Sequence, residues 1–123
     1  MAVRVLVVDD QAPFRDAAKM VVMLTPGFEF IGAVESAEDS IEAVREMRPD
    51  LVLMDVNLPG LDGIEATRKI RDQHHGVQVI VCSTYSAAEY EQRALEAGAV
   101  TYISKAMLDP DVLTAAWAKV SGS

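Results

Sequence analysis

LVLMDVNLPG, residues 51–60, is the stretch that decides the fold. Four apolar residues run into a carboxylate, Asp55, and the chain turns at once into Asn57, Pro59 and Gly60. A short apolar run bounded by turn formers reads as a strand buried on both faces, and such strands belong to parallel sheets covered by helices. Asp55 then stands at the strand's carboxyl end, the edge of an open α/β sheet where ligands bind.

Working outward, four more runs share this character: Val3 to Val8, Phe28 to Val34, Val77 to Cys82 and Val100 to Ile103, against Leu51 to Met54 in the middle. They are rich in valine and isoleucine, with few charges inside. The intervals between them keep helical spacing. Phe14, Ala17, Ala18, Val21 and Leu24 form one apolar face, with Pro13 tolerated in the first turn. Ile41, Val44 and Met47 form a second, behind Ser36 with Asp39 three places on, a pattern close to a capping box. Ile64 and Ile70 anchor a third, Tyr90, Ala94 and Ala97 a fourth stopped by Gly98, and Leu113, Ala116, Trp117 and Val120 a fifth. Strand and helix alternate five times, which implies a parallel sheet with right-handed crossovers and helices on both faces.

With 123 residues the chain fits one domain with a single core. Nineteen acidic against 11 basic residues leave a net charge of -8, which argues against direct grip on a nucleic-acid backbone. No stretch approaches the ~20 apolar residues needed to cross a bilayer, and the start enters a strand instead of a signal peptide, so a cytoplasmic protein without membrane contact is expected. The one cysteine, Cys82, lies in an apolar run and reads as a buried, inert thiol. His74 and His75 precede Gly76 in what reads as a solvated turn. KVSGS at the end is a small polar tail, compatible with a terminus or the stump of a linker.

The polar residues that end the apolar runs fall on one edge of such a sheet: Asp9 and Asp10, Asp55, Ser83 and Thr84, then Ser104 and Lys105. Three carboxylates converging there repel one another unless a cation joins them, and hard oxygen ligands suit Mg²⁺. With the cation on the acidic pair, Asp55 can attack phosphorus as a carboxylate nucleophile. Lys105 can pair with one phosphoryl oxygen, and the Ser83 hydroxyl can donate to another.

Four fragments, VLVVDD, LVLMDVNLPGLDG, VIVCS and AGAVTYISK, occur in order and in register over nearly the whole chain. Together they resemble the receiver domain of bacterial two-component response regulators. The resemblance implies a flavodoxin-like (βα)5 three-layer sandwich with strand order 2-1-3-4-5, spanning residues 1–120 and leaving 121–123 as tail. It implies Asp55 as phosphoacceptor, Asp9 and Asp10 as the metal-binding pair, and the Asn57 backbone carbonyl as a further metal ligand. Ser83 matches the switch hydroxyl, Tyr102 the switch aromatic and Lys105 the family lysine, while Pro59 and Gly63 match residues that shape the loop after the acceptor. Asn57, Thr84 and Tyr85 flank the pocket, and the Tyr85 ring is expected to slow attack by water. The implied partners are a sensor histidine kinase, a second copy on phosphorylation, and DNA through an output domain outside this chain.

Ala106 stands where the family usually has proline, so a trans peptide after Lys105 and an altered approach to the last helix are expected. That pattern with serine at the switch position resembles the subclass with a LuxR-type helix-turn-helix output domain. Two other readings compete. A haloacid-dehalogenase-like phosphohydrolase also uses a strand-end aspartate, but it wants a second aspartate where this chain has Asn57. A phosphate-independent interaction module with the same fold is the other, although no part of the pocket is missing.

Overall fold

A computed structural model describes residues 2–58, 60–84 and 88–121. Pro59, Tyr85 and the end of the tail, named above, lie outside the described residues. The elements run β1 (Val3–Val8), α1 (Ala12–Leu24), β2 (Phe28–Val34), α2 (Ala37–Met47), β3 (Leu51–Asp55), α3 (Gly63–Gln73), β4 (Gln78–Ser83), α4 (Ala88–Glu96), β5 (Thr101–Ser104) and α5 (Pro110–Ser121). The sheet is parallel in the order β2-β1-β3-β4-β5, the flavodoxin-like arrangement.

Two cores sandwich this sheet, and the strand pleat sorts residues between them. Leu6, Val8, Val52, Met54, Val79 and Val81 face α2, α3 and α4, meeting Val44, Ile64, Ile70 and Ala94. Val5, Val7, Leu51, Leu53, Ile80 and Cys82 face α1 and α5, meeting Ala18, Val22, Leu113 and Ala116. Every residue of β3 is buried, which is why that strand reads as an unbroken apolar run and not as an alternation. Trp117 joins the second core, its ring edge-to-face with Phe28 at 6.3 Å between centroids.

Local signals set the helix ends. The Ser36 hydroxyl accepts from the Asp39 N–H at 3.1 Å, and Asp62 caps α3 by accepting from the Glu65 N–H at 2.8 Å. After α4 the chain reverses at Gly98 (φ +106°), with the Gly98 N–H on the Leu95 carbonyl and the Ala99 N–H on the Ala94 carbonyl, both 3.0 Å. That paired closure needs the left-handed conformation glycine adopts without strain. Among the described residues no helix is long and apolar enough to cross a membrane.

The strand ends differ from expectation by one residue. Asp55, Ser83 and Ser104 are the last residues of β3, β4 and β5, where the sequence places them just beyond. Asp55 pairs with Cys82 and Ser83 with Ser104, because ladder bonds use backbone groups whatever the side chain. β4 and β5 also begin one residue later, at Gln78 and Thr101.

Candidate functional site

The carboxyl edge of the sheet gathers Asp9, Asp10, Asp55, Asn57, Ser83, Thr84 and Lys105. A cavity of about 210 Å³ opens there, lined by Asp10, Gln11, Asp55, Asn57, Thr84 and Lys105. Asp9 and Ser83 are buried at its inner side, Asp10 and Thr84 exposed. Tyr102, half-buried on β5, packs on the core under α4 and does not line the cavity.

Local structure fixes each group. β1 carries Asp9 to its end, where the Asp9 Oδ1 accepts the Gln11 N–H at 2.8 Å and turns the chain into α1. Arg15, one turn into that helix, donates to the Asp9 carbonyl at 2.9 Å and pairs with Glu35 at 3.3 Å. Gly63 lets the start of α3 approach β3: a Cβ there would lie 1.7 Å from the Asp55 carbonyl oxygen. Lys105 opens a single turn of 3-10 helix, Lys105–Met107, between β5 and α5. Its peptide bond to Ala106 is trans, as the missing proline leads one to expect.

Lys105 Nζ lies 2.5 Å from Asp9 Oδ2 and 3.3 Å from Asp55 Oδ1. Its own burial disfavours the ammonium, but contact with Asp9 and the charges of Asp55 and Asp9 outweigh it and hold the Lys105 pKa above the ordinary lysine value. Asp55 moves the other way from most ion-paired acids. Burial first, then the charge of Asp9, pushes its pKa up to about 6, with Lys105 and a backbone hydrogen bond from Asn57 only partly offsetting them. Cys82, fully buried beneath, has its thiol pushed up to about 12 by burial, as an inert core thiol should.

These carboxylates could hold a cation. Oxygens of Asp9, Asp10 and Asp55 all come within 4.8 Å of one another. The buried Asp9 Oδ2 has the Lys105 ammonium, 2.5 Å away, as its ion-pair partner. One ammonium undercompensates three carboxylates, and the charge of Asp9 adds to burial in raising the Asp55 pKa. The donor set fits a hard metal ion.

Sequence reasoning missed the neighbourhood of Lys105 on its α1 side. Phe14, read as a core residue, also places its ring under the ammonium, 4.6 Å from Nζ to the centroid. Nothing in the helical spacing of Phe14 distinguishes a ring that packs from one that also meets a charge.

Residues 5–118 match the family model described as response regulator receiver domain. The chain is 38% identical over 103 residues to the response regulator GacA of Pseudomonas viridiflava, covering 84% of this chain and 48% of that protein. It is 36% identical to the chemotaxis protein CheY of Halobacterium salinarum, covering 94% of each. The crystal structure of a LuxR-family two-component response regulator from Aurantimonas sp. SI85-9A1 superposes with a TM-score of 0.89 at 31% identity, over 99% of this chain and 87% of that one. The chain thus spans about half the length of a full regulator such as GacA and nearly all of the chemotaxis protein.

Proposed function

The chain belongs to the response regulator receiver family, and from that premise we propose that Asp55 accepts a phosphoryl group from the phosphohistidine of a sensor histidine kinase. The observation that carries this reading is the cavity itself: a buried carboxylate at a strand end, 3.3 Å from a lysine ammonium and ringed by two further carboxylates.

With its pKa near 6, Asp55 is about nine-tenths ionised at pH 7 and available as a nucleophile. Its oxygen bonds phosphorus as the phosphorus–nitrogen bond breaks, and the imidazole nitrogen leaves with the bonding pair. Lys105 shifts from the Asp9 and Asp55 carboxylates toward a phosphoryl oxygen, and the Ser83 hydroxyl, at the end of β4, donates to another. Asp9, Asp10 and Asp55, with the Asn57 carbonyl, would hold Mg²⁺, whose charge screens that of the phosphoryl group. Asn57 and Thr84, which line the cavity, flank the entry for the water that later hydrolyses the acyl phosphate. The module is a switch and no multiple-turnover enzyme: it catalyses its own phosphorylation and dephosphorylation alone.

Drawing Ser83 inward frees space for Tyr102 to turn, and the face of α4, β5 and α5 changes its preferred partner. The change is a population shift between two states, driven by the difference in phosphoryl contacts. Its readout is dimerisation or release of a LuxR-type DNA-binding domain outside this chain, consistent with the doubled length of regulators such as GacA and with the acidic charge of the receiver itself. Residues 1–120 form the receiver, and a kinase phosphohistidine as donor places it in the cytoplasm.

Intact mass before and after incubation with Mg²⁺ and acetyl phosphate tests the reading, with Asp55→Asn and an EDTA-treated sample alongside. A gain of one phosphoryl group is expected in the wild type alone, dependent on metal. No gain in a folded, metal-supplied wild type would overturn the phosphoacceptor role and favour the phosphate-independent interaction module.

A further inference from the structure

Among the described residues Lys105 meets two carboxylate oxygens at 2.5 and 3.3 Å and the face of the Phe14 ring at 4.6 Å. Its side chain is only 10% exposed, so these groups take most of the shell that water would fill. Lysine's four-carbon stem otherwise leaves the ammonium free to wander, and an exposed lysine would lose entropy each time it met a ligand.

We propose that Phe14 is a positioning residue for Lys105, its ring face confining the ammonium to the mouth of the cavity, where it can reach both Asp55 and an incoming phosphoryl oxygen. The negative face of the ring attracts the cation, and the attraction strengthens as water is excluded. The ring itself is packed against the α1 and α5 core, so it is held independently of the charge. When the ammonium swings from carboxylate to phosphoryl oxygen it keeps the ring as a fixed support, so the transfer needs no search through solvent. Phe14 touches neither phosphoryl group nor Asp55 in this scheme; it acts only through Lys105, and the inference rests on the proposed role of Lys105 in phosphoryl binding.

Four forms of the full chain test it: wild type, Phe14→Leu, Phe14→Tyr and Lys105→Ala, each checked for folding by urea unfolding. The leucine keeps an apolar side chain without a π face, and the tyrosine keeps the face. In metal-free protein the Lys105 ε-methylene protons should resonate upfield, shifted by the ring current, in wild type and Phe14→Tyr but not in Phe14→Leu. With Mg²⁺ and acetyl phosphate, Phe14→Leu should be phosphorylated roughly three- to tenfold more slowly, as expected for loss of a desolvated cation–π contact, and Phe14→Tyr should recover the rate. If leucine proves too disruptive to fold, Phe14→Met replaces it in both measurements. Phe14→Leu equal to wild type, or Phe14→Tyr as slow as Phe14→Leu, overturns the positioning role while leaving that of Lys105 intact. Lys105→Ala phosphorylated at the wild-type rate overturns the role of Lys105 itself, with the methylene shift still reporting whether the ring contact exists.

Discussion

Replacing Asp55 by asparagine should stabilise the metal-free protein at neutral pH, and the structure sets the size. The Asp55 carboxyl has its pKa raised from 3.8 to about 6, chiefly by burial and then by the charge of Asp9. A raised acid pKa means that the folded state holds its proton more tightly than the unfolded chain. Folding is therefore unburdened below about pH 4, where both states are protonated, and stability falls as pH rises through about 4 to 6. Above that window both states are ionised and the penalty is constant, at most about 3 kcal/mol for a shift of roughly two units. Water entering the cavity mouth lowers it to about 1.5 to 3 kcal/mol. Asparagine has nearly the same shape and no charge to bury, so it removes the penalty. Urea unfolding in EDTA at pH 7.5 and pH 5 measures this directly. The advantage of Asp55→Asn should shrink by about half between the two, because wild-type Asp55 is by then largely protonated in the folded state. An asparagine variant no more stable than wild type at pH 7.5, or one whose advantage widens on acidification, would refute the electrostatic account of the site.

Gly63→Ala should cost at least about 2 kcal/mol by urea unfolding and impair phosphorylation by acetyl phosphate, since its Cβ cannot share space with the Asp55 carbonyl oxygen 1.7 Å away and the loop must move. Ser83→Ala should leave metal affinity intact, measured by titration, yet slow phosphorylation by roughly tenfold through loss of one hydrogen bond to a charged oxygen. Leu113→Ala empties a fully buried site between α5 and the sheet and should lower stability by about 2 to 5 kcal/mol, with phosphorylation at saturating donor unchanged in the folded fraction.

Much of this was legible because a parallel sheet makes its functional edge visible in one dimension. Strands buried on both faces allow few polar residues, so Asp9, Asp55, Ser83 and Lys105 stood out as the places where apolar runs end, and shared strand direction put them together. The offset of one residue at Asp55, Ser83 and Ser104 shows the limit of that logic: side-chain polarity marks where burial changes, whereas a strand ends where backbone pairing ends. The pairing of Lys105 with Asp9 was also not legible. The sequence offered Lys105 a phosphoryl oxygen, and in the protein alone its nearest ion-pair partner is the buried carboxylate of Asp9. Phe14 was hidden more deeply, because the same apolar periodicity serves a ring that only packs and a ring that also meets a charge.

The arrangement of charge explains why one lysine is not enough. Three carboxylates and one ammonium leave this edge with two negative charges in excess, and a phosphoryl group adds more. Lys105 already lies against Asp9 and Asp55, so in the proposed turn to a phosphoryl oxygen it would withdraw its charge from Asp9, which is buried. Moving that cation alone exchanges one uncompensated anion for another. A divalent ion on Asp9 and Asp10, as proposed, would remove the conflict, because it would satisfy Asp9 while Lys105 is elsewhere. In the proposed mechanism the acidic pair and the lysine are thus parts of one device: the pair would let the lysine leave, and the ring of Phe14 would limit how far it goes.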